Sequence, residues 1–363
     1  MKAPLVLEVT KLFVKRSPEE PLSFKFILDN YGHTTRRFGH LENAVFDVLS
    51  EEAERWAEVH IQLHPSDLRI LHRVKHRLPL LRKFVVVTSH AQEPPGCIDG
   101  LQDTPSLRDL VMRYKFSLRR SRDEVLSSSF LAWKLDWSSL TALTIDSAFY
   151  SQDLLAFLSQ ARNLESLSIY QGFQTGVVTA RQIRFPRLKR LSISGSFELR
   201  FLSIAMAPVL EALSLQLLVT EQSTTICSFL SRSSCTILNL SVLRTTSVAF
   251  LHILRHTPQL AHLELQDSPM FDRLKCLDAR AYPLVPHLQS LLVTPSNPRQ
   301  PVFLEEEVQQ LVEVVISRTS VDSPSTEKLK SLTLHVPSVF PAELKGLRSL
   351  CDSAGVDFKY RRS

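Results

Sequence analysis

An α/β solenoid organised around a parallel sheet is the fold class that this 363-residue sequence predicts. Three observations predict it: a short Leu-x-x-Leu-x-Leu motif, its recurrence along most of the chain, and helical spacing of apolar residues between the copies. In each copy the last two apolar residues flank one that is usually polar, which is the period of a half-buried strand. The clearest copies lie at Leu140, Leu143 and Ile145; Leu164, Leu167 and Ile169; Leu188, Leu191 and Ile193; Leu210, Leu213 and Leu215; Ile237, Leu240 and Val242; Leu260, Leu263 and Leu265; Leu288, Leu291 and Val293; and Leu329, Leu332 and Leu334.

The spacing of the copies indicates which solenoid is expected. From Leu140 to Leu288 they start 22 to 28 residues apart, and a leucine-rich repeat has a period of roughly 20–29 residues. One half-buried strand cannot cover its apolar side, so neighbouring copies must stack in parallel to bury a core. We therefore predict a leucine-rich-repeat solenoid, with a curved parallel sheet on the concave face and helices and loops on the convex face. A doubly wound parallel sheet is the alternative, disfavoured by nine glycines and no Gly-x-Gly-x-x-Gly loop.

Residues 1–55 are predicted to form an N-terminal cap. Apolar residues at helical spacing predict a helix over Leu5–Arg16 and another over Leu41–Trp56, and strict alternation predicts a strand over Leu22–Leu28. Residues 56–363 are predicted to form irregular repeats, beginning with looser copies of the motif that start at Trp56, Leu81 and Leu107. We interpret Trp56 as a core anchor.

Between the strands, three segments with helical periodicity are predicted to form helices. They cover Ser151–Gln160, Ser247–His256 and Glu305–Ile316. The stretch Asp357–Tyr360 resembles a short closing strand, which a solenoid needs because an open end exposes its core.

Composition excludes several classes of protein. The five cysteines are scattered and form no Cys-x-x-Cys pair, so neither a disulfide framework nor a zinc ribbon is predicted. Such cysteine usage favours an intracellular setting, cytoplasmic or nuclear. No uninterrupted run of about 18 apolar residues occurs, so we expect no contact with the membrane interior. We expect a monomer that carries no cofactor.

Catalytic and metal-binding motifs are missing from the sequence. His72 and His76, and likewise His252 and His256, have the spacing of two ligands on one helix face. Neither pair has the adjacent glutamate of His-Glu-x-x-His, and no third ligand is evident, so we interpret all four as ordinary helix residues. A Gly-x-Ser-x-Gly elbow and a phosphate-binding loop are also missing. We expect no enzyme.

Two clusters of basic residues support an alternative function. The first comprises Arg69, Arg73, Lys75, Arg77, Arg82 and Lys83, within 69–83. The second comprises Arg113, Lys115, Arg119, Arg120 and Arg122, within 113–122. A positive surface attracts phosphates, so a nucleic-acid-associated scaffold is the alternative to a protein-binding module. Neither cluster carries a nucleic-acid-binding motif, which favours a solvated surface instead.

The side chains between and after the strand leucines form the candidate interaction surface, because they point away from the core. The residues between the last two apolar positions are mostly hydroxyl-bearing: Thr144, Ser168, Ser192, Ser214, Ser241, Glu264, Leu292 and Thr333. Further along each strand the side chains vary. The candidate protein-binding residues there are Asp146, Tyr170, Gln171, Gln216, Arg244, Gln266 and Asp267. Tyr170 and Arg244 are the expected anchors; the alternative is a solvated face without a partner.

Several segments resemble one known family. They are Lys15–Phe24, Glu54–Val59, Arg77–Phe84 and the run from Leu155 to Leu167, and they resemble the post-F-box region of the large fungal F-box/leucine-rich-repeat family. The resemblance implies a ubiquitin-ligase substrate receptor, whose F-box recruits the adaptor of a cullin ligase and whose repeats hold a protein substrate. Nothing before Lys15 matches the opening of an F-box. We therefore expect this chain to bind a protein partner but not the adaptor.

Overall fold

The computed structural model describes residues 3–27, 39–89, 99–115, 134–146, 151–170, 182–194, 199–218, 220–266, 271–278, 284–294, 305–319, 327–336 and 343–362. The chain divides into two compact units, Met1–Ile183 and Arg184–Ser363. The predicted boundary at residue 55 stays a prediction.

The first unit is an α/β unit whose six longer strands are parallel. Each pairs with the next along the chain, from β1 to β6. Three 3-10 turns, Ala53–Arg55, Pro65–Val74 and Trp137–Ser139, lie between its elements. The elements are α1 (Ala3–Arg16), β1 (Leu22–Ile27), α2 (His40–Glu51), β2 (Trp56–Leu63), β3 (Lys83–Ser89), β4 (Asp109–Lys115), β5 (Ala142–Asp146), α3 (Ser151–Leu158) and β6 (Ser166–Tyr170), with the two-residue β7 (Ile183–Arg184) at the boundary.

The second unit alternates strands with α-helices. Strands β8, β10, β11, β12, β13, β14 and β15 pair in that order, all in parallel. The elements are β8 (Arg190–Ser194), α4 (Leu199–Ile204), β9 (Ala205–Met206), β10 (Ala212–Leu218), α5 (Thr220–Ser233), β11 (Asn239–Thr245), α6 (Ser247–Arg255), β12 (His262–Gln266), α7 (Phe271–Lys275), β13 (Ser290–Thr294), α8 (Glu305–Thr319), β14 (Ser331–Val336), α9 (Glu343–Ala354) and β15 (Asp357–Arg362).

Register between neighbouring strands follows the motif copies. Leu143 lies opposite Leu167 in the first unit, and Leu213 lies opposite Leu240 in the second. The same leucine position continues from Leu240 to Leu263. Equivalent residues of successive copies thus stack, because any shift by one residue would turn the apolar side chains out of the core.

The motif leucines form the core. Leu167 and Leu215 have no exposed surface and Leu213 has 1%. The residues that alternate with these leucines within each strand, such as Ser168 and Ser214, are half-buried. Burying a leucine side chain stabilises the fold by roughly 1.5–3 kcal/mol. The predicted alternation within these strands is confirmed.

Trp56 anchors the beginning of the first unit, as predicted. It is fully buried and packs edge-on against Phe24 and Phe46, at ring-centroid distances of 5.0 and 6.0 Å. Its indole Nε1 donates a hydrogen bond of 2.9 Å to the backbone oxygen of Leu49. A buried indole with a satisfied N–H fits a structural role.

One buried and one half-buried arginine link helices of the second unit to neighbouring backbone. Arg318, near the end of α8, donates from Nε to the Leu277 oxygen and from Nη1 to the Val285 oxygen, both at 3.0 Å. Burial lowers the pKa of Arg318 to about 10, so the side chain stays charged at neutral pH. Arg232, near the end of α5, donates from Nη2 to the Ala205 oxygen at 3.1 Å. Each guanidinium satisfies carbonyl groups outside its own helix.

Most predicted elements are confirmed within a few residues. The helix predicted over Leu5–Arg16 is α1, and the helix predicted over Ser247–His256 is α6, where the Thr246 side chain accepts a hydrogen bond from the Ala249 N–H at the N-terminus. The closing strand is β15, which follows α9 through Gly355 at φ +71°. The helix predicted to reach Trp56 stops at Glu51, because Trp56 begins β2. Among the described helices, none is long and apolar enough to span a bilayer.

Candidate protein-interaction surface

The side chains between the buried leucines form one continuous side of the strands in each unit, which we name the accessible face. In the second unit its central row runs through Ser192, Ser214, Ser241 and Glu264, which lie opposite one another in register. All four are half-buried. Short hydroxyl side chains leave this row low and mostly uncharged, so a polypeptide can approach the strands closely.

In the second unit the next row carries the predicted site residues Gln216 and Gln266. Leu243 lies between them, opposite both. The Gln216 Oε1 accepts a 2.6 Å hydrogen bond from the Ser194 hydroxyl, and the Gln266 Nε2 donates to Glu264 at 2.5 Å. These contacts fix the orientation of two amide groups beside an apolar side chain, an arrangement that can recognise peptide groups.

Arg244 is exposed because of an unusual backbone conformation. In strict alternation it would point to the core side, like Leu240 and Val242. Instead its φ is +51°, its side chain is exposed, and Thr245 takes the buried position. A left-handed conformation costs a non-glycine residue roughly 1–2 kcal/mol. The structure therefore presents the guanidinium outward at an energetic cost.

In the first unit the predicted residues Asp146 and Tyr170 lie directly opposite each other on β5 and β6. Arg113 of β4 lies opposite Asp146 on the other side. Tyr170 and Asp146 are half-buried and Arg113 is exposed. The three side chains place a cation, an anion and an aromatic ring in one row. Two other predicted site residues, Gln171 and Asp267, lie outside the described residues.

The accessible face of the first unit is not exposed throughout. Val87 and Val111 point to this side, yet only 3% and 9% of their surface is exposed. Their strands read as continuous apolar runs, Phe84–Val87 and Leu110–Met112. Such runs are typical of strands buried on both sides. The accessible face of β3 and β4 is therefore closed at Val87 and Val111, while Val85 on the same side is half-buried.

Some members of the first basic cluster form ion pairs with aspartates, and others do not. Arg73 pairs with Asp47, Lys75 pairs with Asp99 at 2.7 Å, and Lys83 pairs with Asp109 at 3.0 Å. Arg77 donates to the Glu51 backbone oxygen at 2.7 Å. Carboxylates thus neutralise three of the six cations, which weakens the attraction of the cluster for phosphate. In the second cluster Arg113 alone has a described side chain; Lys115 ends β4, and Arg119, Arg120 and Arg122 lie outside the described residues.

The sequence did not reveal a groove at the starts of β2, β3 and β4. We name it the strand-start groove; it has a volume of about 560 Å³ and is lined by Glu58, Arg82, Lys83, Ser106, Arg108 and Asp109. Arg82 and Arg108 are the last residues before their strands. Each of these two arginines directly precedes an apolar strand pattern in the sequence. That shared position is the signal from which their proximity could have been predicted.

The two histidines of the first pair each contact an aspartate. His72 Nδ1 contacts Asp99, and His76 Nδ1 contacts Asp103. The expectation that His72 and His76 share a helix is wrong: the 3-10 turn ends at Val74, and His76 adopts φ +63°. Within the described part of the chain, no three His, Cys, Asp or Glu residues lie close enough to hold a metal.

Burial raises the pKa of three cysteine thiols. It raises the pKa of Cys227 and Cys235, and burial together with the charge of Asp352 raises the pKa of Cys351 to about 11. The thiolate is the reactive form of a cysteine, so a raised pKa keeps these three side chains protonated near neutral pH.

Comparison with known proteins gives no relative. No protein family matches this chain by its sequence model, and no curated protein shows detectable similarity to it. The geometry of the accessible face and of the strand-start groove therefore carries the functional argument.

Proposed function

We propose that this chain is a non-enzymatic protein-interaction module of the leucine-rich-repeat type, acting inside the cell. It resembles the substrate-holding repeats of F-box proteins. The observation that carries the proposal is the register of the accessible face in the second unit. There a low hydroxyl row lies beside oriented amides and an outward-turned arginine, and these groups complement peptide groups and carboxylates.

The nucleic-acid alternative has weaker support. Arg73, Lys75 and Lys83 are each held by an aspartate, and the central row of the second unit is uncharged apart from Glu264. A polyanion gains affinity by neutralising phosphates with free cations, and its binding falls steeply with salt. A protein partner held by hydrogen bonds to oriented amides responds to salt far less.

The test uses the full chain and the partner that co-purifies with it from native cells. Tyr170→Ala and Arg244→Ala are assayed singly and together, since removal of an interface anchor typically costs at least about 2 kcal/mol, or roughly 30-fold in affinity. The matched control neutralises Arg69, Arg73, Lys75 and Arg77. Loss of the partner in the control, with retention in the anchor variants, contradicts the proposal and favours the basic cluster.

A further inference from the structure

We propose that the strand-start groove of the first unit binds an acidic side chain on a mixed-charge peptide segment of a protein partner. This site is separate from the accessible-face residues Tyr170 and Arg244. It adds a second contact to the proposed function and is tested independently of it.

Backbone hydrogen bonds place the two arginines of the groove side by side. The Arg82 oxygen accepts hydrogen bonds from the Arg108 and Asp109 N–H groups, at 2.9 and 3.0 Å. Arg82 itself donates from its backbone N to the Ala57 oxygen at 2.8 Å. Neighbouring strands lie about 4.8 Å apart, so both arginine side chains emerge from adjacent, well-fixed positions.

The charges of the groove are only partly satisfied. Lys83 and Asp109 pair at 3.0 Å. Arg108 uses Nη1 for the Pro105 and Leu107 oxygens, at 2.8 and 2.9 Å, which orients its guanidinium. The side chains of Arg82 and Glu58 have no hydrogen-bond or ion-pair partner among the described residues. The Arg82 guanidinium can thus bind a ligand beside the oriented Arg108, and the Glu58 carboxylate can do so on the adjoining strand.

This charge pattern selects the occupant. An arginine guanidinium matches a carboxylate in a bidentate geometry, so Arg82 together with Arg108 fits an aspartate or glutamate side chain. Glu58 lies on β2 in register with Lys83, and it complements a lysine or arginine of the same peptide. A nucleic acid would bring phosphates against Glu58 and Asp109, whose like charge opposes it.

The size of the groove fits a short segment. Its volume of about 560 Å³ lies within the roughly 300–1,000 Å³ of ligand-binding clefts. Its lining side chains are exposed or half-buried, so a peptide can reach them without a rearrangement of the strands.

The experiment measures fluorescence anisotropy of the full chain with a labelled decapeptide of alternating glutamate and lysine. We expect saturable binding, weakened about 10-fold or more by Arg82→Ala, as expected when a charge-assisted contact is lost. Arg82 makes no described side-chain contact, so its removal leaves the fold intact. Arg69→Ala, which removes another exposed arginine outside the groove, is the matched control and leaves binding unchanged.

Two further variants separate a defined site from general attraction. Arg82→Lys keeps the charge but removes the planar fork, and we expect an affinity between that of the native chain and Arg82→Ala. Glu58→Gln lowers affinity for the glutamate–lysine peptide but not for a glutamate–serine peptide. Tyr170→Ala leaves both unchanged, so failure here is distinguishable from failure of the proposed function.

Three results overturn the inference. The first is equal peptide affinity of the native chain and Arg82→Ala. The second is tighter binding of a single-stranded oligonucleotide than of the peptide. The third is the absence of peptide binding at about 1 mM protein.

Discussion

Strands β3 and β4 of the first unit and strands β10 and β11 of the second are both parallel pairs, yet their second faces differ. In the first pair, Val87 and Val111 on the accessible side are buried. In the second pair, Ser214 and Ser241 on that side are half-buried. The sequence already shows the difference, as a continuous apolar run in one pair and strict alternation in the other. Alternation therefore marks where a partner can reach the strands.

The two units also differ in the contacts that hold the segments connecting their strands. In the first unit, β2 is followed by a 3-10 turn whose neighbouring residues are held by exposed or half-buried charges, such as Lys75 with Asp99. In the second unit, α8 is tied to backbone by the buried Arg318. The first arrangement depends on pH and salt, whereas the second depends on packing.

The largest expected effect is the loss of core packing in an alternating strand. Leu213→Asp places an unpaired carboxylate in the core and should lower the free energy of unfolding by about 4 kcal/mol. Ser214→Asp, one residue along on the accessible face, should change it by less than about 0.5 kcal/mol. Urea denaturation measures both, and equal losses would mean that the two faces are not distinct.

A smaller effect is expected at the buried arginine. Arg318→Met removes the side-chain donor to the Leu277 oxygen and one of the two donors to the Val285 oxygen, which still accepts from the Leu288 N–H at 3.1 Å. We expect a loss of about 2 kcal/mol. Arg77→Met in the first unit also removes a contact with a carbonyl, but an exposed one, and should cost less than about 1 kcal/mol. The melting temperatures of the two variants compare the stability that each arginine contributes. A larger decrease for Arg77→Met than for Arg318→Met would contradict the prediction.

The two faces can also be compared with an exchange of residue types. Val111→Ser should cost about 1–2 kcal/mol, because a buried apolar side chain becomes a hydroxyl. Ser241→Val, at the equivalent row of the second unit, should change stability by less than about 0.5 kcal/mol. If thermal unfolding shows Ser241→Val to be the more harmful, the accessible face is covered in the second unit too.

Arg244→Gly tests whether the outward turn of this residue carries strain. Glycine adopts positive φ without penalty, so we expect a gain of about 0.5–1 kcal/mol. The same change should weaken partner binding, a trade between stability and function. Arg244→Ala keeps the strain and removes the guanidinium; a gain of stability in that variant would assign the effect to the side chain.

The smallest effect concerns pH. The hydrogen bond from Lys75, opposed by burial and aided by His72, lowers the pKa of Asp99 below its ordinary value of 3.8. A lowered carboxyl pKa stabilises the fold above the ordinary value, and this contribution is lost as pH falls through the lowered one. Asp99→Asn should therefore be less stable than the native chain at pH 7, with the gap closing below about pH 4. A gap that stays constant to about pH 2.5 would assign it to packing.

Sequence periodicity predicted the strands because the leucine spacing depends only on local geometry. It also predicted the accessible positions of Tyr170 and Gln216. It could not predict the positive φ through which Arg244 turns outward, or the burial of Val111 on its outer side. The proximity of Arg82 and Arg108 was also missed, since it depends on a backbone hydrogen bond between residues 26 positions apart. Sequence periodicity thus identifies the strands, whereas tertiary contacts determine which side chains lie together at a site.

Pairing between sequential strands also has a kinetic consequence. Leu213 and Leu240 are opposite each other and 27 residues apart, which is about 0.07 of the 363-residue chain, a relative separation found in helical bundles. Parallel sheets are ordinarily slow to fold because their partners are distant and long loops must close first. Here each closure is short, so folding can begin at any adjacent pair and extend strand by strand.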